Sequence, residues 1–334
     1  MNRYHFDQLS APEQRYYEKV LHALQQRQNS ISPGLMIYVE SFKRVLQAIS
    51  LDHPELYHVD FMHMHYLMTP MGIVFTPSYL YKAGAQGPVD AQINAAADSI
   101  LRDARAAGMK TPYEYLRWFH NYFVRNVTYN YEALQQPDLH PDAYNCVGVL
   151  IGRHAVCEGI SKAFKLLCDR AGLDVLIVTG DSCLPNTDQR MPHSWNCAII
   201  DQQYTHIDVT WDINMSASIK ATRYDYFCLP DQDMRADHAY EGGPDCRSTR
   251  LSYFSQTQKQ FSGVAPLKEY LTRELSKNCR VLYFKILPGP SAPGDLHERV
   301  EALVHKMIGQ HRTGAYSFLM AHNPAHGIFY YKFD

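Results

Sequence analysis

The feature that most limits what this chain can become is a cysteine at the head of an apolar helical repeat. In Ala155-Val156-Cys157-Glu158-Gly159-Ile160-Ser161-Lys162-Ala163-Phe164-Lys165-Leu166-Leu167, the residues Ile160, Ala163, Phe164 and Leu167 recur at steps of three and four. That period gives a helix one buried face. Arg170-Ala171-Gly172 closes the pattern with a cation and then a glycine, the usual helix stop. Cys157 is thereby placed in the first turn of a largely buried helix, where unpaired backbone N–H groups and the positive end of the dipole face its sulfur. Such a setting favours the thiolate, the nucleophilic form, and leaves a backbone donor for an oxyanion.

Two later stretches supply partners. His193-Ser194-Trp195-Asn196-Cys197-Ala198-Ile199-Ile200 reads as a strand starting at a histidine, and Tyr204-Thr205-His206-Ile207-Asp208-Val209-Thr210-Trp211 as the next strand, with Asp208 in its middle. A cysteine at a helix start, then a histidine, then a carboxylate to orient it, is the Cys–His–Asp logic of acyl transfer. The rivals are His206, read as a strand residue packing beside Trp211 or Tyr204, Asp212, read as a turn or surface residue, and His154. With Gln202-Gln203 as a two-residue turn, Asp208 faces Cys197, on the sheet face that carries His193. A flat ladder then puts Asp208 and His193 roughly 13 Å apart, so contact calls for a bulge, a wider turn or strong twist.

VCEG…AF..L, HSWN and HIDVTWD in this order resemble the transglutaminase-like superfamily, which has a papain-like fold, and in particular its bacterial members with Val-Cys-Glu-Gly at the nucleophile. The resemblance spans residues 111–240. It implies Cys157 as nucleophile, His193 as general base and Asp208 as the carboxylate that orients the histidine. The interval between His193 and Asp208 is similar to that of the superfamily, and this favours contact over the flat ladder. The implied activity is that of a cysteine enzyme acting on amide bonds of a peptide or protein through a thioester: a peptidase or amidase if water is the acceptor, a transglutaminase if an amine is. A non-catalytic binding module is the alternative outside enzymology, and acyl transfer to a small amine, as in the related arylamine acetyltransferases, ranks last because their nucleophile motif differs. Glu158 departs from the animal crosslinking enzymes, which have an aromatic residue there. Nothing resembles their calcium-binding segments, so neither cofactor nor metal is expected.

Composition excludes other classes. Lys+Arg number 32 against Asp+Glu 34, a net charge of −2, which gives no electrostatic case for nucleic acid or an anionic membrane. The first residues, Met1-Asn2-Arg3-Tyr4-His5-Phe6-Asp7, lack the apolar core of a signal peptide, and no run approaches the ~18 apolar residues of a membrane helix. Eight cysteines are scattered without CxxC pairs, the usage of free thiols in a reducing cytoplasm.

The expected fold class is α+β: a papain-like transglutaminase core, the nucleophile helix packed on an antiparallel sheet, with further N-terminal and C-terminal α/β segments. The divisions are an α+β segment over 1–110, the core over 111–245, and a linker with a small α/β unit over 246–334. In the first, Ser10-Ala11-Pro12-Glu13 and later Thr111-Pro112-Tyr113-Glu114 are capping-box helix starts. A helix is expected from Pro33 to Ser50, strands about the turn Pro70-Met71-Gly72, a loop over Gly84–Pro88, and a helix from Asp90 to Ala107. His58, His63 and His65 read as half-buried strand histidines rather than as metal ligands. Tyr115, Leu116, Phe119, Tyr122 and Phe123 form a core stripe. A side chain of Tyr144-Asn145-Cys146 is a candidate second oxyanion donor, and Trp195 and Trp211 either pack around the imidazole or are plain core. Residues 181–192 read as a loop that brings the chain to His193. The tail is expected as helix, strand, a Pro/Gly loop at 288–294, helix, and two strands over Tyr316–His322 and Ile328–Phe333, with a scaffold role preferred to docking.

Overall fold

The apolar periodicity after Cys157 does what a 3.6-residue repeat requires. In the computed structural model, which describes residues 2–32, 38–183, 189–287, 293–312 and 317–333, helix Cys157–Arg170 buries Ile160, Ala163, Phe164 and Leu167 completely. Its neighbour is a five-stranded sheet in the order Phe227–Leu229, Gln203–Ile207, Arg190–Ile200, Val175–Cys183, His238–Ala239. Every adjacent pair is antiparallel. The fold is α+β, with the helix laid on an antiparallel sheet as the sequence predicts. Helix Pro112–Asn126 closes the same core through Leu116, Phe119 and Phe123.

Two further cores flank this one. Helices Ala11–Gln25 and Val39–Asp52 pack with the hairpin His65–Thr69/Gly72–Thr76 around Tyr16, Phe42, Ile49 and Phe75. At the other end, helices Val264–Ser276 and Pro293–His311 cover a four-stranded sheet in the order Gln260–Phe261, Val281–Ile286, Ile328–Phe333, Phe318–Asn323. Among the described residues no helix is long and apolar enough to cross a membrane.

Several local expectations change. The helix expected from Asp90 runs from Ala83 to Ala106, so the expected loop over Gly84–Pro88 is helical, and Pro88 lies in its second turn, where it leaves the Gly84 carbonyl without the usual i→i−4 donor. His58 is buried in a turn, while His63 lies exposed ahead of the strand that begins at His65, so the three do not share a strand face. The strand expected to start at His193 begins at Arg190, with His193 inside it, and its partner runs on to Cys183. The helix expected from Pro33 begins at Val39, with Tyr38 as its extended N-cap; residues 33–37, the centre of the 181–192 loop, the Pro/Gly loop over 288–292 and Tyr316 lie outside the described residues.

Gly159, two residues into the nucleophile helix, is needed for close approach. A Cβ there would sit inside the van der Waals radius of the Ala143 carbonyl oxygen and 3.0 Å from that of Asn145. Alanine gains about 1 kcal/mol of helix propensity over glycine, but overpacking against rigid backbone costs about 1–3 kcal/mol or more. Gly159→Ala is therefore expected to lower stability by about 2 kcal/mol, read as a shift of the urea midpoint with an unchanged slope; an unaltered midpoint would contradict this packing.

Candidate active site

The hairpin that carries the histidine and the carboxylate differs from the expected one in register. Ile200 pairs with Gln203 and Asn196 with Ile207, so the turn residues are Asp201 and Gln202, both with positive φ, 48° and 63°. A two-residue turn of this kind needs left-handed geometry at both positions, which aspartate tolerates better than most residues. The strand then stops at Ile207, and Asp208 is not in its middle. It is the N-cap of helix Val209–Ile219. The separation expected from a flat ladder vanishes because the register moves and the chain turns inward at the cap.

Asp208 has no exposed surface, and its two oxygens have three partners. Oδ1 accepts from the Trp211 backbone N–H at 3.1 Å. Oδ2 accepts from His193 Nε2 at 2.7 Å and from His238 Nε2 at 3.1 Å. With Nε2 committed to Asp208, Nδ1 is the ring atom of His193 left for Cys157, whose thiol feels the neighbouring His193 side chain and the Ser194 backbone N–H. The sulfur, the imidazole and the carboxylate expected from the sequence thus stand in one line.

The electrostatics follow from that line. Burial alone would push the Cys157 thiol up, but the bond and charge of His193 and the Ser194 N–H outweigh it and leave the thiol lowered. Burial opposes the charged imidazole of His193, yet Asp208 and Cys157 raise it to about 10. Burial likewise opposes the charge of Asp208, and the two histidines bring it down to about 2. All three directions favour a thiolate–imidazolium pair beside a carboxylate. Cys157 is half-buried and lines a cleft of about 680 Å³ with His193, Ser194 and Thr179 on one wall and Phe42, Phe61, Met64 and Tyr66 on the other. Iodoacetamide at pH 6 is expected to label Cys157 on the order of 100-fold faster than an unperturbed cysteine, with the advantage lost in His193→Gln; peptide mapping of the labelled thiol is the measurement.

The rivals go elsewhere. His206 accepts the Trp195 indole N–H at Nδ1, 3.1 Å, and gives Nε2–H to Asp231 at 3.0 Å. Asp212 is fully buried rather than at a turn or surface, accepting from His120 Nε2 at 2.9 Å and from the Asp225 N–H at 2.8 Å; it braces the helix that Asp208 caps. His154 is exposed and contacts the Tyr129 carbonyl. Glu158 is paired with Lys162 one helical turn on. The side chains of 144–146 have other hydrogen-bond partners: Tyr144, which lines the cleft, donates to the Ala133 carbonyl, Asn145 caps Val147, and the Cys146 thiol reaches the Pro54 carbonyl. Trp195 stacks on His193, ring centroids 5.8 Å apart and 19° between planes, whereas Trp211 packs on Tyr226 and His238 instead.

Three participants escaped sequence reasoning. The Tyr129 hydroxyl is raised by burial first and then by the neighbouring Cys157 side chain, which sets it beside the sulfur. His238 bridges Asp208 to Asp237, donating Nδ1–H to the latter at 2.6 Å. Asp237 in turn accepts from Tyr226 Oη at 2.6 Å and His326 Nε2 at 2.9 Å. The tail read as bare scaffold therefore reaches the buried carboxylates behind the site. Among the described residues, His193–Asp208–His238 and Cys197–His206–Cys246 are donor groups compact enough to share an ion. In the first, the atoms facing a metal are those already bonded to one another. In the second, Cys197 and Cys246 sulfurs lie 3.4 Å apart and both ring nitrogens of His206 have partners.

Comparison with known proteins gives a match over part of the chain. Residues 101–209 match the transglutaminase-like superfamily. A solved transglutaminase aligns at 14% identity over 53% of this chain and 48% of its own, TM-score 0.32. A candidate cysteine protease from Cytophaga hutchinsonii aligns at 11% identity over 44% of this chain and 61% of its own, TM-score 0.27. The chain thus spans about half to three-fifths of the length of these structures. A search of the curated proteins found no match. The resemblance carried by VCEG, HSWN and HIDVTWD is shown over residues 101–209: that stretch, with Cys157, His193 and Asp208 inside it, matches the transglutaminase-like superfamily.

Proposed function

We propose that this protein is a cysteine enzyme that opens amide bonds of a peptide or protein through a thioester on Cys157, with water as the usual acceptor. The observation that carries the reading is that Cys157, at the N-terminus of a helix, and His193, bonded through Nε2 to Asp208 Oδ2, line one cleft. In the proposed cycle the thiolate attacks the amide carbonyl, and the negative oxygen that develops is met by the Cys157 N–H and the Tyr129 hydroxyl. The His193 imidazolium gives its proton to the leaving amine, which departs as the thioester forms. The now neutral imidazole takes a proton from water, hydroxide adds to the thioester, and collapse releases the acid and restores the ion pair. Asp208 keeps the imidazole oriented and its charge compensated throughout.

Incubating a peptide library with the wild-type chain and reading products by mass spectrometry tests this. Peptides split with gain of one water, or side-chain amides converted to acids, support hydrolysis. Peptides joined to an added amine support an amine acceptor. An unchanged library, with a Cys157 thiol of ordinary reactivity, would point to a binding module and overturn the proposal.

A further inference from the structure

Two imidazoles share one oxygen of the buried carboxylate. Asp208 Oδ2 accepts from His193 Nε2 at 2.7 Å and from His238 Nε2 at 3.1 Å. The other nitrogen of His238, Nδ1, meets Asp237 Oδ1 at 2.6 Å. An ionised carboxylate only accepts, so a ring with a carboxylate on each nitrogen donates from both and is an imidazolium. Burial opposes that charge, and Asp208 and Asp237 outweigh it, leaving His238 raised. Burial opposes the charge of Asp237 as well, yet His238 and His326 leave it lowered.

The sheet edge fixes this ring. Strand His238–Ala239 pairs with Asp181 and Ser182, and the imidazole lies among Trp195, Trp211 and Tyr226, ring centroids 5.1, 5.6 and 5.6 Å away. The titratable groups packed around it are Asp208 at the helix cap, Asp237 beside it, Tyr226, and His193 from the central strand, whose ring centroid is 5.5 Å off. Tyr226 Oη and His326 Nε2 both donate to Asp237 and hold it in place. A buried cation therefore stands almost as close to Asp208 as His193 does. It divides the attraction of that carboxylate and repels a charged neighbouring ring. Both effects loosen the proton on His193. We propose that His238 is a positioning residue: its fixed positive charge shares Asp208 with His193 and keeps His193 able to release its proton.

The use made of this charge rests on the acyl-transfer reading. Once the thioester has formed, His193 has given its proton to the leaving amine and must stay neutral to take one from water. With Asp208 wholly to itself, the ring would refill from solvent near neutral pH, and hydrolysis of the thioester would stall. No proton passes through His238. Its two stay on Nδ1 and Nε2 through the cycle, and it acts by charge alone.

A paired substitution, Asp237→Asn with His238→Gln, removes the charges and keeps the bonds. The glutamine NH2 can donate to Asp208 and its oxygen accept from the asparagine NH2, while the asparagine oxygen still accepts from Tyr226 and His326. The background is Cys157→Ala, which lacks the thiolate as the acylated form does. There the nitrogen NMR titration of His193 is expected to move up by about one pH unit in the pair, a proton held about tenfold more tightly. An unmoved or lowered midpoint, in a pair that melts as its parent does, overturns the proposal. If the pair fails to fold, Cys157→Ala by itself decides: both nitrogens of His238 are expected to give protonated signals at pH 7, and a neutral ring there overturns the proposal. Neither titration needs a substrate, so an unchanged peptide library would remove the chemistry and leave the charge arrangement standing. On a peptide that is converted, the pair with Cys157 intact is expected to lose about tenfold in kcat at pH 7 with KM unchanged, and to regain it about one pH unit higher. A loss that is the same at every pH would make His238 a packing residue only.

Discussion

Alanine in place of Cys157 is expected to reduce turnover of any converted peptide to background, a loss of about 10⁵-fold or more. Among the described residues lining the cleft, Cys157 is the only cysteine. Burial pushes the Cys146 and Cys168 thiols up, Cys146 to about 12, and Cys197 and Cys246 contact each other on the far side of Trp195. A serine would not restore the rate either, because the pairing with His193 depends on a group acidic enough to ionise beside an imidazole. The variant should fold, since the helix is held by Ile160, Ala163, Phe164 and Leu167 rather than by its first side chain. Progress curves by mass spectrometry, alongside a urea melt, give the answer; activity within tenfold of wild type would take Cys157 out of the chemistry.

Asp208→Asn is expected to cost about 10³-fold in kcat and about 3 kcal/mol in stability. The cap survives, because an asparagine oxygen can still accept the Trp211 N–H. The relay does not. Both nitrogens of His238 face carboxylates, so both carry protons, and the amide NH2 would oppose one of them. His193 would lose the charge that raises it to about 10, and the alkaline limb of the rate profile should move to lower pH. The sign on stability is separate for each partner. Asp208, depressed to about 2, contributes above the ordinary carboxylate range and loses that contribution as pH falls through about 2. His193, raised, contributes fully below its unfolded value and loses it as pH climbs through about 10. A variant with wild-type kcat and an unmoved alkaline limb would show that Asp208 is only a cap.

How much of this could be read in advance depends on distance along the chain. The helix at Cys157 was legible because its period and its glycine stop are local. The order Cys157, His193, Asp208 was legible from three motifs. The hairpin register was not, because choosing Asp201-Gln202 over Gln202-Gln203 depends on which residues accept left-handed geometry, and the apolar pattern on either side is indifferent to it. Asp208 as a helix cap did leave a signal, an aspartate ahead of Val209, Ile213 and Ser216 at helical spacing, but Val209 and Thr210 are β-branched and drew the reading towards strand. His238 left none: it joins Asp208 from 30 positions away by pairing of His238–Ala239 with the edge of the sheet. His326 is more remote still.

The indole of Trp195, lying flat on His193, has a practical consequence. It is one of only three tryptophans, and a positive ring resting on its face alters its excited state. The chain therefore carries its own optical gauge: emission should brighten or dim as the histidine gains and gives up its proton, so the acylated form could be timed by stopped flow without attaching a dye.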